Sequence, residues 1–66
     1  MVDYENLEIG TLLYSVDGIF AIESDYHKMQ KGYYAVEMYI NDEDELYETD
    51  NVYFFTVGEI KNMSIG

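Results

Sequence analysis

Arginine, cysteine, proline and tryptophan are absent from this 66-residue chain, and lysine occurs only three times. Proteins that bind nucleic acid or an anionic membrane neutralise phosphate with lysine and arginine, so this composition excludes both as direct partners. Without cysteine there is no disulfide and no thiolate to hold zinc. The lack of cysteine also favours a cytoplasmic location, because stable disulfides belong to oxidising compartments.

Long apolar segments are missing as well, since no run approaches the roughly 18 residues of a membrane-spanning helix. The N-terminus, MVDYE, is acidic, whereas a signal peptide begins with a basic region. We therefore expect a cytoplasmic protein. The length predicts a single domain over residues 1–66.

Negative charge is what the chain has in abundance. Fourteen Asp and Glu against three Lys give a formal net charge of −11, more than the roughly 2 to 8 that keeps a small domain soluble. The chain is also 48% hydrophobic, with eight Tyr and three Phe, which predicts a folded domain and not a disordered acidic tail. A partner recruited through this charge would be basic.

The strongest local signal is a β-hairpin centred on Asp17 and Gly18. The two apolar runs that flank this dipeptide are residues 11–16 and 19–24. Asp-Gly favours a two-residue hairpin turn, because such a turn needs positive φ at both central residues. With these two residues as the loop, Val16 pairs with Ile19. Both faces of the hairpin are then largely apolar, which predicts a closed barrel or a sheet with a partner on its second face.

Two further strands are predicted, over residues 33–40 and 52–57. The first alternates with a period of two, so we expect its larger apolar set in the core and its other set outside. The expected core set is Tyr34, Val36, Met38 and Ile40, and the expected outer set is Tyr33, Ala35, Glu37 and Tyr39. Residues 58–60 predict a short turn or 3₁₀ step, and residues 61–65 a brief closing strand.

The segment between these strands, residues 41–51, holds six acidic residues and no basic one. We expect an acidic loop there. A short helix over residues 42–48 is the alternative, since Asn41 or Asp42 could cap it and acids suit a first turn.

Four or five short strands in 66 residues predict a mainly all-β fold, either a small SH3-like barrel or a strongly bent antiparallel sheet of 4–5 strands, with one short helical or 3₁₀ turn. Three short motifs resemble small SH3-like barrels. They are Ile9-Gly10-Thr11 at the entry to the first strand, the Asp17-Gly18 turn, and Phe55-Thr56 followed by Glu59-Ile60 before the last strand. This resemblance implies a fold and carries no function.

Catalytic and metal-binding patterns are weak, so we expect no enzyme activity, no cofactor and no metal. His27 is the only imidazole, and its neighbours Ser24 and Asp25 would splay apart on an extended loop, whereas a triad needs a hydrogen-bonded chain. Counted from Asp42, a calcium loop fails at its fifth, sixth and twelfth positions. Weak, non-specific binding of divalent cations by the carboxylates stays open as an alternative.

The acidic residues and their tyrosine neighbours are the candidate site. Carboxylates two apart on an extended chain are about 6.6 to 6.8 Å apart, which approaches the linear charge density of DNA. Aromatic side chains would add interface energy that exposed charges do not supply. The predicted partner-binding residues are Asp42, Glu43, Asp44, Glu45, Tyr47, Glu48, Asp50, Glu37, Tyr39, Glu23 and Asp25.

In composition the chain resembles small, acidic, phage-encoded proteins that mimic DNA, such as antirestriction proteins, uracil-DNA glycosylase inhibitors and some anti-CRISPR proteins. The resemblance implies an anti-defence inhibitor that occupies the DNA site of a basic, nucleic-acid-binding protein. The alternative is a non-catalytic interaction or adaptor module that binds a basic partner through its tyrosines and carboxylates. A run of charged residues alone is typical of a solvated loop. The inhibitor hypothesis therefore depends on the net charge of the whole chain, because its self-repulsion opposes folding and is retained at a cost to stability. The two-sided hairpin also makes a homodimer an open possibility.

Overall fold

The computed structural model describes all 66 residues and confirms the all-β prediction. Its elements in chain order are β1 (Leu12–Ser15), β2 (Gly18–Ile22), β3 (Gly32–Ile40), β4 (Leu46–Thr56), α1 (Val57–Ile60) and β5 (Ser64–Ile65). The strands form one antiparallel sheet in the order β4-β3-β2-β1-β5. Because β4 and β5 are the two edges and do not pair, the sheet is not closed into a barrel. Of the two predicted architectures, the antiparallel sheet is therefore the one that forms.

Strands β1 and β2 form the predicted hairpin, but their predicted register is wrong. Ser15 pairs with Gly18, so the loop residues are Val16 and Asp17. Within this turn, Gly18 is the residue with positive φ (138°). The Ser15 hydroxyl closes the turn, because it accepts from the Asp17 N–H (3.1 Å) and donates to the Gly18 carbonyl (3.3 Å). The pairing differs from the predicted one by two residues, so every side chain keeps its predicted face.

The core lies on one face of the sheet, under α1 and the N-terminal segment. Its buried cluster is Leu13, Phe20, Ile22, Tyr33, Ala35 and Ile60. The predicted core face of β3 is therefore wrong, because Tyr33 and Ala35 belong to this cluster whereas Tyr34 is 40% exposed. Of the predicted set only Val36 is buried (3% exposed), and it lies on the other face of the sheet. Cross-strand pairing explains the reversal: Ala35 lies opposite Ile22, on the side that α1 covers. Of the predicted outer residues, Tyr39 is exposed and Glu37 is half-buried.

Burial of Tyr33 depends on two partners for its hydroxyl. The hydroxyl donates to the Tyr4 carbonyl (2.6 Å) and accepts from the Leu7 N–H (3.1 Å), so its polar end is satisfied inside the fold. Desolvation raises the pKa of Tyr33 above its ordinary value of 10.0, and the bond from the Leu7 N–H opposes that rise. Through this contact β3 holds the N-terminal segment over the core.

The chain after β4 makes one helical turn, α1, at the position where a short helical or 3₁₀ turn was predicted. Thr56 caps α1 through a capping box: its hydroxyl accepts from the Glu59 N–H (3.3 Å), and the Glu59 carboxylate accepts from the Thr56 N–H (2.9 Å). Ile60 on this turn is fully buried. The predicted closing strand is present as Ser64–Ile65, which pairs with β1. No helix in the structure is long and apolar enough to cross a membrane.

The predicted acidic loop over residues 41–51 is much shorter in the structure. Strand β4 begins at Leu46, so only residues 41–45 lie between the strands, and no helix forms over 42–48. The segment is held in the sheet by pairing with β3, which places Tyr47 opposite Tyr39. Three residues of β4, 49–51, lie opposite the single residue Glu37, and this bulge accounts for the irregular register.

Candidate partner-binding surface

The end of the β3–β4 hairpin projects from the sheet. Pairing between β2 and β3 extends no further than Met38, which lies opposite Ile19. Beyond it, residues 39–47 of the hairpin pair only with each other. We refer to residues 37–50 as the acidic finger.

The acidic finger concentrates the charge of the molecule. It carries seven of the fourteen carboxylates and no Lys or His. These carboxylates belong to Glu37, Asp42, Glu43, Asp44, Glu45, Glu48 and Asp50. All of them are on exposed residues except that of Glu37, which is half-buried. The three lysines of the chain (28, 31 and 61) lie outside the finger, so no cationic side chain within the finger offsets its negative charge.

Asn41 fixes the conformation of the finger tip. Its side-chain Oδ1 accepts from the backbone N–H groups of Glu43 (2.9 Å) and Glu45 (3.0 Å), and its Nδ2 donates to the Glu45 carboxylate (3.2 Å). The Asn41 backbone N–H also donates to the Glu45 carbonyl (3.1 Å). Asp44 takes the positive φ (60°) that the turn requires, a conformation that Asp and Asn tolerate better than most residues. The four consecutive acids 42–45 are therefore held on a defined turn.

Two tyrosines lie side by side just below the tip. Tyr39 and Tyr47 are directly opposite in the register, with ring centroids 5.1 Å apart and ring planes tilted by 53°. They are 53% and 48% exposed. A cross-strand aromatic pair stabilises a hairpin, and its exposed rings offer apolar area next to the carboxylates.

Carboxylates emerge from both sides of the finger as well as from its tip. Glu48 lies opposite Met38, whereas Glu37 alternates to the other side. Asn51 Nδ2 donates to the Glu37 carboxylate (2.9 Å), and the Thr49 hydroxyl donates to the Glu37 carbonyl (3.0 Å), so the bulge positions this residue. No side of the finger is neutral.

Nine of the eleven predicted partner-binding residues lie in the finger, and Glu23 and Asp25 do not. The backbone N–H of Glu23 donates to the carbonyl of Tyr34 (2.9 Å). Tyr34 lies six residues before Ile40 on β3, which places Glu23 about 20 Å from the end of that strand. Asp25 lines a shallow cleft between the N-terminal segment and the 25–28 loop, beside Lys28. These two carboxylates belong to the opposite end of the sheet.

Sequence reasoning missed the two asparagines that organise the finger. The sequence suggested Asn41 only as a helix cap. In the structure its side-chain oxygen accepts from backbone N–H groups, as a helix cap does, but the segment that it caps is a turn. An Asn placed just before four polar residues is the available signal for such an Asx turn. The contact between Asn51 and Glu37 spans 14 residues and depends on the bulge, so no local pattern indicates it.

The residues considered for catalysis do not form a chain of hydrogen bonds. The Ser24 hydroxyl accepts from the Tyr34 N–H (2.9 Å) and donates to the Asp25 carbonyl (3.1 Å), so it is engaged with backbone. His27 is exposed and lies edge-on to the rings of Tyr34 (5.2 Å) and Phe54 (6.1 Å). No three His, Asp or Glu side chains converge on a point where they could hold a metal ion.

Compared with known proteins, the chain matches no family model, no curated protein and no solved structure.

Proposed function

We propose that this protein is a non-enzymatic inhibitor that inserts its acidic finger into the nucleic-acid-binding site of a basic protein and so acts as a DNA mimic. The observation that carries the proposal is the finger itself. Half of the carboxylates of the chain are gathered on one projecting hairpin that contains no cation. Targets of this chemistry are nucleases, glycosylases and polymerases, met in the cytoplasm of a host cell if the protein serves a phage against host defence.

Charge density and shape support this function together. The finger carries seven carboxylates in fourteen residues, and four of them, 42–45, are consecutive on the tip turn, so negative charge is concentrated there as it is along a phosphate backbone. A projecting hairpin can enter a groove that a flat acidic surface could not reach. Charges of one sign at such a surface steer association with a basic partner, and this effect weakens as salt increases.

The turn at the tip supports tight binding because it is already ordered. Asn41 holds two backbone N–H groups of the tip, so less conformational entropy is lost when a partner binds the carboxylates. Tyr39 and Tyr47 add aromatic area beside the charges, and aromatic residues supply much of the binding energy in protein interfaces.

The experiment that tests the proposal compares two variants of equal net charge. The finger variant carries Asp42→Asn, Glu43→Gln and Asp44→Asn, and the control carries Glu5→Gln, Glu8→Gln and Asp17→Asn. All six residues are exposed, and each variant changes the net charge from −11 to −8. The proteins are immobilised, incubated with lysate, and eluted in steps from about 50 mM to about 1 M NaCl, a range over which charge screening becomes strong.

We expect the wild type and the control to retain a nucleic-acid-binding protein that salt releases, and the finger variant to lose most of it. Because the two variants have the same net charge, this result would assign binding to the position of the carboxylates. Equal loss with both variants would contradict a role for the finger and would leave only non-specific attraction. Retention that does not change with salt would contradict mimicry of DNA.

A second candidate is an interaction or adaptor module that binds through its aromatic residues, and the exposed pair Tyr39 and Tyr47 favours it. In that case Tyr39→Ala or Tyr47→Ala would abolish binding of the captured protein, whereas Asp42→Asn with Glu45→Gln would change it little. DNA mimicry predicts that both kinds of substitution weaken binding and that only the carboxylate substitutions reduce its salt dependence.

A further inference from the structure

The second face of the sheet, opposite the core, is apolar, and neither α1 nor the N-terminal segment packs on it. Val36 and Ala21 at its centre are buried (3% and 9% exposed), and the His27 ring lies against Tyr34 at one end, whereas the surrounding large side chains are open to solvent. On this face Ile19 lies between Tyr14 of β1 and Met38 of β3. Val36 lies between Ala21 of β2 and Val52 of β4. One apolar surface therefore extends across the four strands. Its most exposed large side chains are 38–50% exposed and belong to Tyr14, Tyr34, Ile40, Leu46 and Val52. We refer to this surface as the open face.

The composition of the open face is not that of a solvated sheet surface. A sheet with one face in water normally alternates apolar residues inside with polar residues outside. Here the residues on both sides of β2 and β3 are largely apolar, and Glu48 is the only charged residue among those paired in register on the open face. The other acids of the molecule lie on the finger tip, at the bulge, in the β1–β2 turn, in α1, and in the segments at the far end of the sheet.

We propose that the open face binds the open face of a second copy of this chain, forming a symmetric dimer of two packed sheets. With five large side chains 38–50% exposed, the face offers an apolar area on the order of 500 Å², near the upper end of what monomers expose. Two such faces together remove about 1,000 Å² from water, which is the lower limit for a specific interface and corresponds to a weak dimer. This inference does not depend on the function proposed above.

The second copy is the occupant that fits the charge of this face. A basic partner would find its complementary charges on the acidic finger, whereas the centre of the open face, around Val36 and Ala21, offers none. An identical face supplies an apolar surface of matching size and twist. Pairing of two copies through the β4 edge is disfavoured, because the bulge at residues 49–51 and the carboxylates of Glu48 and Asp50 interrupt that edge.

The dimer has an unusual salt dependence. Each copy carries a net charge of −11, so the two copies repel each other outside the apolar contact. The Debye length falls from about 14 Å at 50 mM to about 4 Å at 500 mM salt, which screens this repulsion. Self-association should therefore strengthen with salt, whereas binding of a basic target through the finger should weaken. This opposite response separates the dimer from the proposed function.

The test is sedimentation equilibrium of the purified chain alone, from about 5 µM to about 500 µM protein and at both salt concentrations. We expect a monomer–dimer equilibrium whose Kd falls at least about threefold at the higher salt. Val52→Glu, which places a carboxylate on the face, should raise the Kd at least about tenfold. Val16→Glu adds the same charge in the exposed β1–β2 turn, off the face, and should leave the Kd within about twofold.

Amide chemical shifts of the wild type, recorded across the same protein concentrations, test the contact without any substitution. We expect concentration-dependent shifts at Tyr14, Ile19, Val36 and Val52, and none at the finger tip. A chain that stays monomeric at the highest concentration and salt would overturn the inference. So would a dimer whose shifts are confined to the β4 bulge (residues 49–51) or to the finger tip (residues 41–45), or open-face amides that shift only when a basic target is added.

Discussion

Replacing Asn41 by alanine removes the side chain that holds the tip of the acidic finger, and leaves the net charge of the protein unchanged at −11. This substitution therefore separates the geometry of the carboxylates from their number. In the native protein Asn41 Oδ1 accepts two backbone N–H groups, from Glu43 at 2.9 Å and Glu45 at 3.0 Å. Alanine accepts neither.

The cost of this loss follows from the exposure of the tip. A hydrogen bond contributes about 0.5–1.5 kcal/mol to stability, and at an exposed site water replaces part of it, so the two bonds together contribute about 1–2 kcal/mol. For a domain of this size about 1 kcal/mol corresponds to a change in Tm of about 4–8 °C. We expect Asn41→Ala to lower the Tm by about 5–10 °C if the tip unfolds together with the sheet.

Hydrogen exchange locates the effect. The amides of Glu43 and Glu45 should exchange about tenfold faster or more in Asn41→Ala, while the amides of the core strands should change only with global stability. Asn41→Asp keeps the acceptor oxygens but places a second carboxylate beside that of Glu45, so it should retain only part of the protection. Binding to the captured target should weaken in Asn41→Ala, because the carboxylates must then be ordered on binding. Unchanged exchange at both amides would refute the role assigned to Asn41.

Other predictions concern the core and the backbone. Tyr33→Phe removes the hydroxyl that joins Tyr4 and Leu7 and should lower the free energy of unfolding by about 1–3 kcal/mol in urea titrations; no change would contradict that contact. Because burial raises the pKa of Tyr33, its contribution to stability is complete below pH 10.0 and is lost as the pH rises through the folded pKa. Unfolding midpoints above about pH 10 should therefore fall more steeply for the wild type than for Tyr33→Phe. Gly32→Ala would bring a Cβ against the Phe55 carbonyl and 2.8 Å from the Phe54 ring, so thermal melts should show a loss of about 3 kcal/mol. Gly58→Ala meets nothing closer than 3.8 Å and should be neutral or stabilising by up to about 1 kcal/mol; an equal loss in both glycine variants would contradict this account.

The fold was predictable from the sequence where the signals were local. The Asp17-Gly18 dipeptide located the first hairpin, but the register depended on the Ser15 hydroxyl, which bonds both to the Asp17 N–H and to the Gly18 carbonyl. The core face of β3 was not predictable from periodicity, because Tyr33 and Tyr34 are equally apolar neighbours. Contacts of Tyr33 with the N-terminal segment, 26 and 29 residues away, decide which of them is buried.

The candidate site was predictable in composition more than in shape. The acidic run after Ile40 marked the finger, but its Asp, Asn and Glu residues are poor strand formers and so predicted a loop. Pairing with β3 overrides that propensity and extends β4 back to Leu46. Glu23 and Asp25 were grouped with the acids of the finger because the sequence shows which residues are charged but not where they lie in the folded sheet. Only the register of β2 against β3 places them at the far end of the sheet.

Competition with DNA on the captured target is the most direct test of the proposal that the acidic finger occupies a nucleic-acid-binding site. A fluorescently labelled duplex is bound to the target at low salt, and its anisotropy is followed as this protein is added. We predict full displacement of the duplex by the wild type and by the Glu5, Glu8 and Asp17 control, and much weaker displacement by the Asp42, Glu43 and Asp44 variant. A stable ternary complex, in which the wild type binds the target while the duplex stays bound, would contradict the proposal.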